Sequence, residues 1–195
     1  MPEEAKLFIF DVGGVMVDGF NVMPKVARHL GLADQELRTL LMEAGFVELS
    51  KGLISEAAFL QRLNGHHLKA SDRTLLGDFF QPSRREGMYE YVARLKERGK
   101  RVVAGTNTIP VHYDIHSERG DYDIFHTVYA SHLISEAKPE PAFYRRILES
   151  EDIVAEDAVF VDDMEANVEA ANAIGIHGIH YTSLESMSRQ LERFL

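Results

Sequence analysis

Four apolar residues in succession, Leu7-Phe8-Ile9-Phe10, begin the regular structure of the chain. A short unbroken apolar run predicts a strand buried on both faces. The run ends on one acid, Asp11, followed by Gly13 and Gly14 and a second apolar stretch reaching Val17. From about Val22 to Gln81 the pattern turns helical, with no strand signal. Leu37, Leu40, Leu41 and Ala44 fall at i, i+3, i+4 and i+7. Ser55 stands where an N-cap is expected, ahead of a face made of Phe59, Leu60 and Leu63. Ser71-Asp72 marks another helix start, leading to Leu75, Leu76, Phe79 and Phe80, and the Phe79-Phe80 pair reads as core of this helical segment. Gln81-Pro82-Ser83 reads as an exit hinge.

Beyond the hinge, strands and helices alternate. Met88, Tyr91, Val92 and Leu95 predict an amphipathic helix stopping near Gly99. Buried strands are expected at residues 101–105, 125–130, 158–161 and 176–180, with Thr106-Asn107-Thr108 after the first and Asp162-Asp163 after the third. Pro110 suits the first turn of a helix. Lys138-Pro139-Glu140-Pro141 opens a helix bearing Phe143, Ile147 and Leu148. Val168, Ala171 and Ile174 predict another, with Gly175 as its C-cap, and Leu184, Met187, Leu191 and Phe194 a last one. Such alternation implies a parallel sheet with right-handed crossovers. The expected fold class is α/β, a three-layer doubly wound parallel sheet with an inserted α-helical cap. The core is drawn from residues 1–18 and 83–195, and the cap from 19–82.

Composition narrows the function. The 195 residues are 45% hydrophobic and 27% charged, as a packed globular chain requires. No apolar run approaches the ~20 residues that span a bilayer, so no membrane role is expected. The acidic start MPEEAK carries no secretory signal and reads as a frayed tail. Cysteine is absent, which removes thiol nucleophiles and fits a reducing, cytoplasmic setting. A net charge of −10 with no basic stripe argues against nucleic acid. A small phosphorylated substrate remains compatible, because a bound metal overrides the global charge locally.

Polar groups follow the ends of several strands: Asp11, Thr106-Asn107, Lys138 and Asp162-Asp163. In a parallel sheet those carboxyl ends share one edge, where ligands bind. Three carboxylates brought together call for a cation, and their hard oxygens suit Mg²⁺. A lysine with hydroxyl and amide donors suits a phosphate. Together they point to phosphoryl transfer through an aspartyl-phosphate. Plainer explanations exist for each part. Asp and Gly are ordinary turn residues, as are Thr106 and Asn107. Asp162-Asp163 fits a helix N-terminus, and Lys138 a solvated lysine before proline.

Four segments in this order, FDVGGV (Phe10–Val15), GTNT (Gly105–Thr108), KPEP (Lys138–Pro141) and VDDMEAN (Val161–Asn167), resemble the motifs of the haloacid dehalogenase-like hydrolases. The resemblance covers nearly the whole chain. KGLISEAAF (Lys51–Phe59) is similar to a cap segment of the small helical-cap branch that includes sugar-1-phosphate phosphatases. The resemblance implies Asp11 as nucleophile and metal ligand, and a Gly13 carbonyl on the metal. It implies Thr106 and Asn107 at the transferring phosphoryl group, with Lys138 neutralising charge there. Asp162 and Asp163 would serve Mg²⁺, and Asn167 would brace their loop. It further implies a phosphatase for a small phosphometabolite, a sugar phosphate among the expected substrates, acting as monomer or homodimer.

One position departs from the pattern. The second aspartate that acts as general acid in active relatives is replaced by Gly13, although glycine also occurs there in the sugar-1-phosphate branch. An absent acid removes ~10²–10⁴ in rate. A good leaving group would offset that loss, and Asp18, His66 and His67 are candidate substitutes. Two other readings stand beside the phosphatase. One is a metal-free 2-haloacid dehalogenase, which the acids at 162–163 disfavour. The other is a non-catalytic binding protein, which Gly13 motivates. His112 and His116 have a helical zinc spacing, but the polar segment VHYDIHSERGDYD reads as a solvated surface helix.

Overall fold

The computed structural model describes residues 4–65 and 74–195. Strand β1 (Leu7–Phe10) runs into a tight loop and a two-residue strand, β2 (Val17–Asp18). Helices α1 (Met23–Leu30), α2 (Asp34–Glu43), α3 (Phe46–Ser50), α4 (Glu56–Asn64) and α5 (Thr74–Asp78) follow, and the short strand β3 (Ser83–Arg84) returns the chain to the sheet. Then come α6 (Met88–Glu97), β4 (Arg101–Thr106), α7 (Pro110–Glu118), β5 (Thr127–Ala130), α8 (Ser131–Ile134), α9 (Pro141–Glu151), β6 (Ala158–Asp162), α10 (Glu165–Asn172), β7 (His177–His180) and α11 (Leu184–Leu191).

The five-stranded sheet has the order β5-β4-β1-β6-β7, and every pairing in it is parallel. The chain winds outward from β1 first to one side and then to the other, which makes it doubly wound. Side chains alternate across the pleat. Phe8, Phe10, Val102, Ala104 and Val161 pack with Met88, Val92 and Leu95 of α6 and with Met187 and Leu191 of α11. On the opposite face Leu7, Ile9, Val103 and Phe160 meet Phe143, Tyr144 and Ile147 of α9 and Ala171 of α10. Being buried on both sides is why β1, β4 and β6 read as continuous apolar runs.

The helices between β2 and β3 bury a third cluster, built from Val26, Leu37, Leu41, Leu49, Phe59, Leu63 and Phe80 among others. Ser55 caps α4, its Oγ accepting from the Ala58 N–H at 3.2 Å. Chain entry and exit are tied by an antiparallel ribbon in which Val17 pairs with Arg84 and Asp18 with Ser83. His66, His67, Ser71 and Asp72 lie outside the described residues.

Two expectations need correction. The third long strand starts at Thr127, because Phe125 closes a turn onto the Tyr122 carbonyl at 3.0 Å. α7 is no solvated surface helix, for His116 is buried and His112 half-buried. The cause is Phe80, at the exit of the insert. Its ring stacks on His112 at 3.8 Å and meets His116 edge-on at 5.0 Å. The helix is polar in sequence, but what it buries against arrives from another part of the chain. His112 uses its Nε2 on the Leu76 carbonyl at 3.0 Å, and His116 pairs with buried Asp121 at 2.9 Å. Neither belongs to a metal-binding group among the described residues.

Candidate active site

Asp11 directly follows the central strand and is buried. Its backbone N–H bonds the Val161 carbonyl at 2.8 Å, which fixes it against the end of β6. Lys138, on the loop before α9, reaches between two acids. Its Nζ lies 2.8 Å from Asp11 Oδ1 and 2.7 Å from Asp162 Oδ2, and its side chain is 1% exposed. A buried ammonium needs such partners, and here they and the burial work against each other. Burial favours the neutral lysine, but the two carboxylates outweigh it and raise its pKa. Asp11 is pushed up to about 6, chiefly by burial and further by the Asp162 charge, with Lys138 and the Val12 N–H opposing.

Asp162 is fully enclosed and its carboxylate is well occupied. Oδ1 accepts from the Met164 N–H at 2.8 Å and from Asn167 Nδ2 at 3.0 Å, while Oδ2 takes Lys138. Asn167 is therefore a brace, held in turn by the Tyr144 hydroxyl, which donates to its carbonyl at 2.8 Å. Asp163 is less enclosed. Its pKa is raised by burial first and by Asp162 second. Gly14, at φ +82, leaves room for it, since a Cβ there would sit 2.1 Å from Asp163 Oδ2.

The carboxylates of Asp11, Asp162 and Asp163 each offer an oxygen within 4.8 Å of the others. With Lys138 as the counter-charge in contact, three carboxylates and one ammonium leave two negative charges. That balance, on hard oxygen donors, fits a divalent cation.

Thr106 ends β4 and is buried, opposite Ala130. Asn107 engages the backbone of Lys138, its Nδ2 donating to the carbonyl at 2.8 Å and its Oδ1 accepting the N–H at 2.9 Å. This amide aligns the lysine loop. Buried Ser131 does the same for Thr108, donating to its carbonyl at 3.1 Å and accepting its N–H at 3.0 Å. Ser131 carries no signal in sequence, since it stands at the start of α8 as an ordinary polar residue.

Gly13 faces an aromatic ring. A Cβ at Gly13 would lie 3.2 Å from Phe20 Cγ and Cδ2, so the place where an acid would project is filled by a ring that is itself 41% exposed. Asp18, one candidate substitute for the acid, is exposed and paired with Arg85. The helical insert meets the core beside Lys138. Lys51 binds Glu140 at 2.5 and 2.7 Å, and Gly52 packs so closely on α8 that a Cβ would fall 2.1 Å from the His132 carbonyl oxygen. A cavity of about 320 Å³ lies between them, lined by Phe46, Val47 and Lys51 from the insert and by Asn107, Thr108 and Lys138 from the core.

A buried carboxylate just after the central strand, a lysine bridging it to a second acid, and a paired-acid loop gather at one edge of a parallel α/β sheet beside a helical insert. A sequence model of the haloacid dehalogenase-like hydrolases matches residues 5–175, and the chain belongs to that family. It is 29% identical over 197 residues to a sesquiterpene phosphatase, astK, of Aspergillus oryzae, covering 97% of this chain and 96% of that protein. It is 24% identical over 191 residues to flavin mononucleotide hydrolase 1 of Arabidopsis thaliana, covering 95% of this chain and 76% of that one. Its fold is similar to that of a family enzyme from Bacteroides thetaiotaomicron, solved with magnesium and inorganic phosphate, at a TM-score of 0.78 and 22% identity over 95% of this chain and 98% of that one.

Proposed function

We propose that the chain is a Mg²⁺-dependent phosphatase of a small phosphorylated metabolite. The observation that carries this is Asp11, buried at the end of the central strand and held by Lys138 among the acids at 162–163. With a pKa of about 6, Asp11 is mostly ionised at neutral pH and can act as nucleophile. Its oxygen forms a bond to phosphorus as the bond to the ester oxygen breaks, and the alcohol leaves, taking its proton from water. Water then hydrolyses the resulting acyl phosphate and frees inorganic phosphate. Lys138 keeps Asp11 aligned and offsets charge on the phosphoryl oxygens, with Thr106 placed at the same edge. Asp11, Asp163 and the Gly13 carbonyl would hold Mg²⁺, with Asp162 adding its charge. When bound, the ion supplies charge neutralisation to a phosphate that these acids would otherwise repel.

Two relatives named for phosphate-ester hydrolysis support this reading. A metal-free dehalogenase is disfavoured by the acids at 162–163, since their uncompensated charge would hinder attack by Asp11. The test is phosphate release from a panel of esters, with Mg²⁺ or with EDTA, using wild type and Asp11→Asn. Release that needs Mg²⁺ and is lost in the variant is expected. Release unaffected by EDTA or retained by Asp11→Asn would overturn the assignment. Ligand binding with no release from any ester would favour the non-catalytic role that Gly13 suggests.

A further inference from the structure

Phe46, at the start of α3, lines the cavity beside Lys138 and also a second cavity farther into the insert. That second space, about 310 Å³, is walled by Met23, Leu41, Met42 and Phe46, with Arg38 as its polar member. Methionines and a phenylalanine make an adaptable apolar wall without directed hydrogen bonds. Met42 is 56% exposed although it belongs to this wall. Beside the nucleophile the same character recurs, because Phe20 covers Gly13 with an exposed ring where an acid would otherwise stand. The first cavity thus offers a phosphate polar partners at Lys51, Asn107 and Lys138, and the second offers a methionine wall, with Phe46 bordering both.

We infer that the substrate is a phosphomonoester of an apolar alcohol, whose hydrocarbon portion passes Phe46 into the pocket formed by Met23, Leu41 and Met42. This rests on the phosphatase reading for its phosphate end and adds the chemistry of the leaving group. Phe46 carries the argument, since it borders both the cavity beside Lys138 and the apolar one. A sugar would place several hydroxyls against this wall, where, Arg38 apart, the lining offers them no hydrogen-bonding side chain. A hydrocarbon gains on the same wall up to about fourfold in affinity for each methylene buried.

The test separates binding from turnover. Butyl, octyl and dodecyl phosphate and glucose 1-phosphate are titrated calorimetrically, below their micellar concentrations and with Mg²⁺, into Asp11→Asn protein and into the same protein carrying Met42→Glu or Phe46→Ala. Octyl phosphate is expected to bind at least about tenfold tighter than butyl phosphate, with a negative heat-capacity change. The gain should shrink in both pocket variants. Met42 is exposed, so Met42→Glu leaves the fold intact even where Phe46→Ala perturbs packing. Affinity independent of chain length, a chain-length gain unchanged in Met42→Glu, or preference for glucose 1-phosphate would overturn the inference. So would a concentration-dependent dimer broken by Met42→Glu, which would make the wall a contact between copies. Hydrolysis is assayed separately with the wild-type residue at position 11. Chain-length-dependent binding without hydrolysis would refute the phosphatase reading alone, and hydrolysis without chain-length dependence would refute the apolar pocket alone.

Discussion

Replacing Lys138 by methionine keeps the length of the side chain and removes the charge that sits between Asp11 and Asp162. At an effective dielectric near 20, each contact of about 2.8 Å is worth roughly 6 kcal/mol before the lysine's own desolvation is subtracted. Removing one partner of a buried pair typically costs about 3–5 kcal/mol. Protonation limits the damage. Asp11 is already pushed up to about 6 with the lysine present, and without it the carboxyl moves higher and takes a proton. The sign follows from where the protons sit. Above pH 6 the wild-type Asp11 is ionised, while the folded variant retains a proton that wild type has lost. The stability deficit of the variant therefore grows as pH rises above 6, by at most about 1.4 kcal/mol per pH unit for one proton. Urea unfolding followed by circular dichroism, in EDTA so that no divalent cation substitutes for the lysine, should give a deficit of about 3–5 kcal/mol at pH 8 and a smaller one at pH 6. A variant as stable as wild type at pH 8, or a deficit larger at pH 6 than at pH 8, would refute the account. Catalysis should fall by ~10²–10³ alongside.

Three further outcomes are expected. Gly14→Ala puts a methyl 2.1 Å from Asp163 Oδ2 at a left-handed φ of +82, so the rise in melting temperature on adding Mg²⁺ should be sharply reduced; an unchanged rise would mean Asp163 takes no part in binding the ion. Gly13→Asp crowds Phe20, and only together with Phe20→Ala should it raise kcat on simple alkyl phosphates, by up to ~10²–10⁴; an unchanged kcat in the double variant would show that leaving-group protonation is not limiting. His112 has its pKa lowered from 6.5 to about 4, chiefly by burial and despite its bond to Leu76. Unfolded chains bind its proton first, so stability should fall by up to about 3 kcal/mol as pH drops from 6.5 to 4. His112→Gln, which can still donate to the Leu76 carbonyl, should lose that part of the acid sensitivity in urea titrations at pH 7.5 and 5.

The sheet was largely legible in the sequence because its strands are buried on both faces. Leu7–Phe10 and Ala158–Val161 are unbroken apolar runs, and the acids that end them stand out by contrast. Ser55 was legible because a cap is a local event. What was hidden is long-range. β2 and β3 are two residues each, too short for any periodicity to register. His112 and His116 looked solvated because Phe80, which covers them, lies more than thirty positions earlier. Asn107 read as a substrate ligand, and the structure also gives its amide a local partner in the backbone of Lys138. The sequence can show that an amide is present but not what occupies it. Phe46 and Met42 carried no signal of their own, because their place on a cavity wall depends on how α2 and α3 pack.

The ribbon that joins Val17 to Arg84 and Asp18 to Ser83 also makes the insert exchangeable. Its two ends are hydrogen-bonded neighbours, close enough for a two-residue hairpin turn to bridge. Arg84 fastens one side of this joint to Asp121 at 3.0 Å, and Arg85 lies 5.0 Å over the Tyr181 ring on the other. Everything beyond the joint is then a cassette, provided that its replacement again covers His112 and His116 as Phe80 does. A different set of helices could be spliced in at the same two residues, changing what faces the cavity beside Lys138 while Asp11, Lys138 and the paired acids stay where the sheet puts them.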